Sequence, residues 1–182
     1  MTHPISENLE NRPIGLSYLA NREHLVLLKQ GVAIWNDLRK QGDHSDLLKV
    51  DLRGVDLDRA DLRGVDLARA DLSRSNLSRG DLSRADLSWT DFRQANLRRV
   101  DFSRADLRGA DLRGTDLSWA DLSWANLEGA NLEGANLHRA DLVWANLRGA
   151  SLRSAIVYGV SFHRVNLFKT TMPDGTIHES EP

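Results

Sequence analysis

The sequence predicts an all-β solenoid over residues 45–172, and three observations predict it. An apolar residue recurs at every fifth position from Leu52 to Leu167, 24 times, and only Phe92, Phe102, Val157 and Phe162 replace Leu. Two residues before each of these centres stands a small or β-branched residue, mostly Ala or Val. One residue before it stands Asp or Asn, except at Ser151, Ile156 and Ser161.

A period of five fits neither regular element. A helix would spread the leucines around its whole surface, and a plain strand would send successive ones to opposite faces. The chain must therefore turn once per pentad. The small residue and the Leu are two apart, so a short extended piece points both inward and the intervening Asp or Asn outward. The two residues after each centre, mostly Arg, Ser, Gly or Trp, carry the turn. No single pentad buries a core; stacked pentads do.

Runs such as Ala-Asp-Leu-Arg-Gly, Ala-Asn-Leu-Glu-Gly and Ala-Asp-Leu-Ser-Arg resemble the A(D/N)LXX unit of the pentapeptide-repeat family. The resemblance covers about two-thirds of the chain. It implies a right-handed quadrilateral parallel β-helix, four pentads to a coil, with about six coils between residues 50 and 169. At about 4.8 Å per layer, such a rod is roughly 29 Å long. One face would stack Leu52, Leu72, Phe92, Leu112, Leu132 and Leu152. Ser75 and Gly80, consecutive small positions without an apolar side chain, predict looser packing around them. Ser45-Asp46-Leu47 reads as an imperfect first unit, and Thr170-Thr171-Met172 as a last one stopped by Pro173.

An open solenoid end must be covered. Residues 21–40 predict an amphipathic helix with Asn21 as N-cap and an apolar stripe of Leu25, Leu28, Val32 and Trp35, continued by Leu38. Gly31 is a mild weakness in it. The helix is expected to cap the first coil, with 41–44 as connector and 1–20 as a poorly ordered leader. Residues 173–182 read as a closing turn and a frayed polar tail.

Composition narrows the function. A formal net charge of −2 demands neither nucleic acid nor an acidic membrane. The absence of cysteine excludes disulfides, thiol nucleophiles and thiolate metal sites. No basic and then apolar leader opens the chain and no apolar run is long enough to span a bilayer, so a cytoplasmic protein is expected. His138 and His163 read as isolated exterior residues without the partners that catalysis needs. No phosphate loop, catalytic carboxylate pair or triad is present, so neither enzyme activity, cofactor nor small-molecule substrate is expected. The ladder Asp61, Asp81, Asp101, Asp121 and Asp141 reads as turn-capping carboxylates with Arg as counter-charge. A calcium ladder would need the glycine–aspartate nonapeptide, which is missing. No metal is placed.

The tryptophans depart from this regularity. Trp89, Trp119, Trp124 and Trp144 take outward turn positions, and Trp124 and Trp144 differ by 20, one coil. Arg104 and Arg164 would flank that pair, and Arg99 and Arg139 would flank Trp119. With Val143, Ile156 and Tyr158 these residues form a candidate interaction patch toward the C-terminal half, since Trp and Arg are enriched at binding hot spots. Arg–Trp stacking that only stiffens the rod is the competing account. The leading function is a non-enzymatic scaffold for a protein partner, whose identity the residues do not give. The family resemblance adds two expectations: a homodimer through the C-terminal coils, and, as the alternative function, a DNA-mimicking modulator of DNA gyrase. The alternation of Arg with Asp along the rod disfavours DNA mimicry and nucleic-acid binding alike.

Overall fold

The computed structural model describes residues 25–40, 47 and 50–180. Parallel bridges join each Asp, Asn or equivalent residue to the one 20 positions later, from Asp51–Asp71 to Ser151–Thr171. Four pentads thus make one coil of a parallel β-helix. Its faces are named here by their centres: first (Leu52, Leu72 and onward), second (Leu57), third (Leu62) and fourth (Leu67).

Each face bridges through a single residue rather than a long strand, because the chain turns again at once. The N–H three residues after a centre returns to its carbonyl, as Ala60 does to Leu57 at 3.0 Å. The second residue after the centre takes a positive φ, and 16 of these are not glycine, among them Arg79 (58°), Trp119 (64°) and Trp144 (62°). A positive φ at that turn position alone is the mark of a type II turn. Each such L-residue carries strain of about 1 kcal/mol.

The Asp and Asn before each centre earn their place locally. Their Oδ1 accepts the N–H two residues on, as in Ser103 to Asp101 at 2.8 Å and Ser73 to Asp71 at 3.0 Å. Where Arg follows the centre directly, its guanidinium also clasps that carboxylate: Arg53–Asp51, Arg63–Asp61, Arg93–Asp91 and Arg113–Asp111 at 2.6–2.7 Å. The counter-charge therefore comes from the first residue after the centre, whereas the arginines of the second position stand on the corners.

Leu52, Leu72, Phe92, Leu112, Leu132 and Leu152 are fully buried. Phe92 and Phe102, on opposite faces of one coil, meet edge to face with centroids 6.0 Å apart. The looser packing expected around Ser75 and Gly80 is not found. The Ser75 hydroxyl is buried and donates to the Leu72 carbonyl at 2.6 Å. A Cβ on Gly80 would lie 2.9 Å from the Leu77 carbonyl. At Gly80 the missing side chain answers a close backbone approach rather than leaves space.

The expected continuous helix is interrupted. Residues 25–30 are helical, Gly31 adopts φ +140°, and α1 (Val32–Lys40) follows. Only glycine enters that conformation easily, so Gly31 is a break and not a mild weakness. Leu28 and Trp35 are buried, and Leu25, Val32 and Leu38 pack half-buried on the same core. The Asn21 cap, the leader 1–20 and the connector 41–44 lie outside the described residues.

Three side chains of α1 meet the outward-facing backbone of the first rung on the third face. Trp35 Nε1 donates to the Asp61 carbonyl at 2.7 Å, the Asp61 N–H donates to Asn36 Oδ1 at 2.8 Å, and Arg39 donates to the Arg63 carbonyl. In the interior these groups pair with the neighbouring rung, as Asp81 N–H does with the Ala60 carbonyl.

At the other end β1 (Thr170–Thr171) pairs antiparallel with β2 (Ile177–His178). Met172 N–H bonds the Thr176 carbonyl at 2.7 Å, and Asp174 Oδ1 accepts the Thr176 N–H at 2.9 Å. The tail expected to fray past Ile177 instead returns: Lys169 N–H bonds the His178 carbonyl at 2.7 Å.

Candidate interaction surface

The type II turns decide where the outward side chains go. Every second-position residue leaves a corner of the coil from a left-handed backbone, and its column neighbour stands one rung away. On the corner after the third face, the Trp124 and Trp144 rings stack at 5.0 Å and 16°. The Arg164 guanidinium lies 4.6 Å over Trp144. On the corner after the second face, Arg139 lies 4.7 Å over Trp119.

His138 joins this second stack. Its ring meets Trp119 edge-on at 6.1 Å and stacks on Tyr158 at 5.4 Å and 4°. Sequence reasoning set His138 aside as isolated; the offset of 20 between His138 and Tyr158 was the signal that joins them. The patch is therefore two stacks on neighbouring corners. Among the described residues no ring of one touches a ring of the other, and neither Arg99 nor Arg104 lays its guanidinium over a ring. Arg99 and Arg104 stand in the columns but outside the stacks. Val143 is half-buried beside Trp144, and Ile156 is exposed at a position where other rungs carry Asp or Asn. Trp89 lies apart on the fourth face. Its indole covers Gly109, where an added Cβ would come within 2.8 Å of the ring.

Charge around these stacks is muted. A shallow depression runs along the first face past Arg53, Arg74, Arg93 and Arg113. Three of these four arginines are held by aspartates of the same face, so no bare cationic track results. The pairing lowers acid pKa values. Arg53 and its own N–H hold the Asp51 carboxyl down to about 2, and the Arg63 guanidinium holds Asp61 below the usual range. For Asp91 and Asp106, burial pulls upward but the hydrogen bonds from Arg93 and Arg108 outweigh it. Among the described residues no group of His, Asp or Glu is arranged to hold a metal ion, and no helix is long and apolar enough to cross a membrane.

Comparison with known proteins agrees with this geometry. The pattern of pentapeptide repeats matches in eight copies over residues 45–84, 81–118, 115–154 and 145–174. No curated protein matches the sequence. Among solved structures, HetL of the cyanobacterium Nostoc sp. strain PCC 7120, a pentapeptide-repeat protein involved in heterocyst differentiation regulation, is 32% identical. The match covers 74% of this chain and 67% of HetL, with a TM-score of 0.51. A pentapeptide-repeat protein of the Arabidopsis thaliana thylakoid lumen is 33% identical over 64% of this chain and 71% of its own, TM-score 0.39. The trypsin-treated plasmid-mediated fluoroquinolone resistance protein QnrB1 is 22% identical over 69% of this chain and 80% of its own, TM-score 0.31.

Proposed function

The chain belongs to the pentapeptide-repeat family, and from that premise we propose that it is a non-enzymatic scaffold docking a protein partner on the second and third faces of its C-terminal coils. The rod itself is a right-handed quadrilateral β-helix of about six coils, capped at its N-terminal end by the helical segment.

One observation carries the docking surface. Trp119, Trp124, Trp144, Ile156 and Tyr158 are exposed large apolar side chains on the last coils of two adjacent faces. None of them is needed to build the repeat, which elsewhere mostly puts Arg, Ser, Gly, Asp or Asn at the same positions. Stacking already orders the rings and guanidiniums before a partner arrives. Less side-chain freedom is then lost on binding. Trp, Tyr and Arg are the residue types that dominate interface energetics. HetL, similar to this chain, is a pentapeptide-repeat protein involved in heterocyst differentiation regulation, a role compatible with docking a partner. DNA mimicry is the weaker reading, because Arg–Asp pairs neutralise the surface that mimicry needs acidic.

The test is a pull-down from native lysate of the source organism with wild type and a Trp119→Ser/Trp124→Ser/Trp144→Ser variant as baits, the fold of each checked by circular dichroism. A protein held by wild type and lost by the variant is the expected result. Identical catches from both baits would return the tryptophans to a stiffening role. A second copy of the chain as the captured partner would show as a mass of twice 20.4 kDa in light scattering.

A further inference from the structure

The last rung is unfinished on three of its faces. From Leu52 to Leu137 every centre donates its N–H to the next rung at 2.7–2.9 Å. Among the described residues, the N–H groups of Val157, Phe162 and Leu167 find no acceptor. The chain supplies the next layer on the first face, where Leu152 N–H reaches the Thr171 carbonyl and β2 lies alongside β1, and at the corner just before it, where Lys169 N–H bonds the His178 carbonyl. The side chains follow the same division. Leu152 is fully buried, whereas Val157, Val160, Phe162, Val165 and Leu167 are half-buried. The last rung stays bridged to the one beneath it through Asp141 and Ser161. Among the described residues, however, Leu142 and Trp144 do not make the close inter-rung bonds that Leu122 and Trp124 make to the Asp141 and Val143 carbonyls.

Charge distinguishes this edge as well. Residues 156–169 contain Arg164, Lys169 and His163 but no Asp or Glu, although acids recur through the preceding coils. Arg164 and Lys169 occupy two successive corners with φ of 61° and 59°.

Building on the scaffold reading above, we infer that this edge takes an extended acidic segment of a partner protein as one further rung, by strand addition. The backbone of the segment would accept from the Val157, Phe162 and Leu167 N–H groups, as added strands do at other sheet edges. Apolar residues five apart would close over Val157, Phe162 and Leu167. Asp or Asn one residue before each would cap the turns and face the cationic corners. Small residues or glycine would suit the corners, where φ is positive.

The probe is a synthetic peptide of residues 115–129 of this same chain, whose Leu117, Leu122 and Leu127 have the required spacing and whose charges are all acidic. Added to the full chain, it is expected to slow amide exchange at Val157, Phe162 and Leu167 by about tenfold at ten times its Kd. Binding should weaken with salt and in an Arg164→Glu/Lys169→Glu variant, and should vanish for a peptide with the three leucines replaced by Ser. Unchanged exchange at saturating solubility of the peptide would overturn the inference. So would equal binding of the Ser peptide, or amides already protected in a dimer of the chain. The tryptophan triple variant should still bind the peptide. Peptide failure with partner capture intact would sink this inference alone; capture failure with peptide binding intact would sink the corner-stack surface alone.

Discussion

At the N-terminal end, the third face stops at Asp61 and Arg63, whose outward backbone groups are met by Trp35, Asn36 and Arg39. At the C-terminal end, the same face stops at Phe162, whose N–H has no acceptor among the described residues. Both ends are cut from one repeat, yet one is closed by side chains and the other is not. A rung does not need another rung to be satisfied. It needs a donor and an acceptor at the right spacing, and a carboxamide on a helix provides both. Asn36 accepts from the Asp61 N–H while its Nδ2 donates to the Arg59 carbonyl at 3.0 Å.

The N-terminal closure depends most on its buried indole. Trp35→Ala removes a fully buried side chain and should cost about 3–5 kcal/mol, measured by equilibrium denaturation. The same truncation at Phe162 on the open end should cost well under half as much, because that ring is only half-buried. Comparable losses at both ends would mean that the C-terminal rung is better covered than its contacts indicate.

Asn36→Ala tests the carboxamide directly. It leaves the Asp61 N–H without its partner at a site that is part-buried, a loss of about 1–3 kcal/mol. Amide exchange at Asp61 should accelerate toward the behaviour of Phe162, while exchange in the middle coils stays slow.

Between the ends, the turns set a smaller effect. Gly134 has φ +67° and nothing within 4 Å of an added Cβ. Gly134→Ala should therefore cost only the left-handed strain, about 1 kcal/mol, seen as a lowered denaturation midpoint. A neutral result would mean that the corner backbone can relax away from positive φ.

The smallest effect is acid sensitivity, which should also divide the rod. The Asp51 carboxyl is lowered from 3.8 to about 2 by Arg53, and Arg63 lowers Asp61. A lowered folded-state pKa means that the unfolded chain takes up protons first as pH falls. The stabilisation is present above pH 3.8 and is lost toward about 2. Amide exchange in the first coils should therefore rise over that window. The last rung, with Ser151 and Ser161 in place of Asp and no acid between residues 156 and 169, should change least.

Much of this was legible in the residues. An unbroken five-residue period fits one kind of backbone path, so the buried column through Leu52 and Leu152 and the stacking of Trp124 on Trp144 follow from counting. Counting failed where a contact depended on direction rather than spacing. The arginines that clasp the aspartate before a centre stand directly after that centre, because from there the guanidinium curls back on its own turn. His138 entered a ring stack because its corner neighbours happened to be Trp119 and Tyr158. Gly31 broke the helix because its φ of +140° is a backbone choice made by how the two helical pieces dock.

The sequence by itself determined that the chain coils, which residues face inward and where each turn falls, because these are local consequences of a pattern repeated at constant spacing. Only the tertiary structure decided how the coiling ends. Closing an end joins residues far apart in the chain, Asn36 with Asp61 and Lys169 with His178, and such partners are chosen by packing and hydrogen-bond direction rather than by any period.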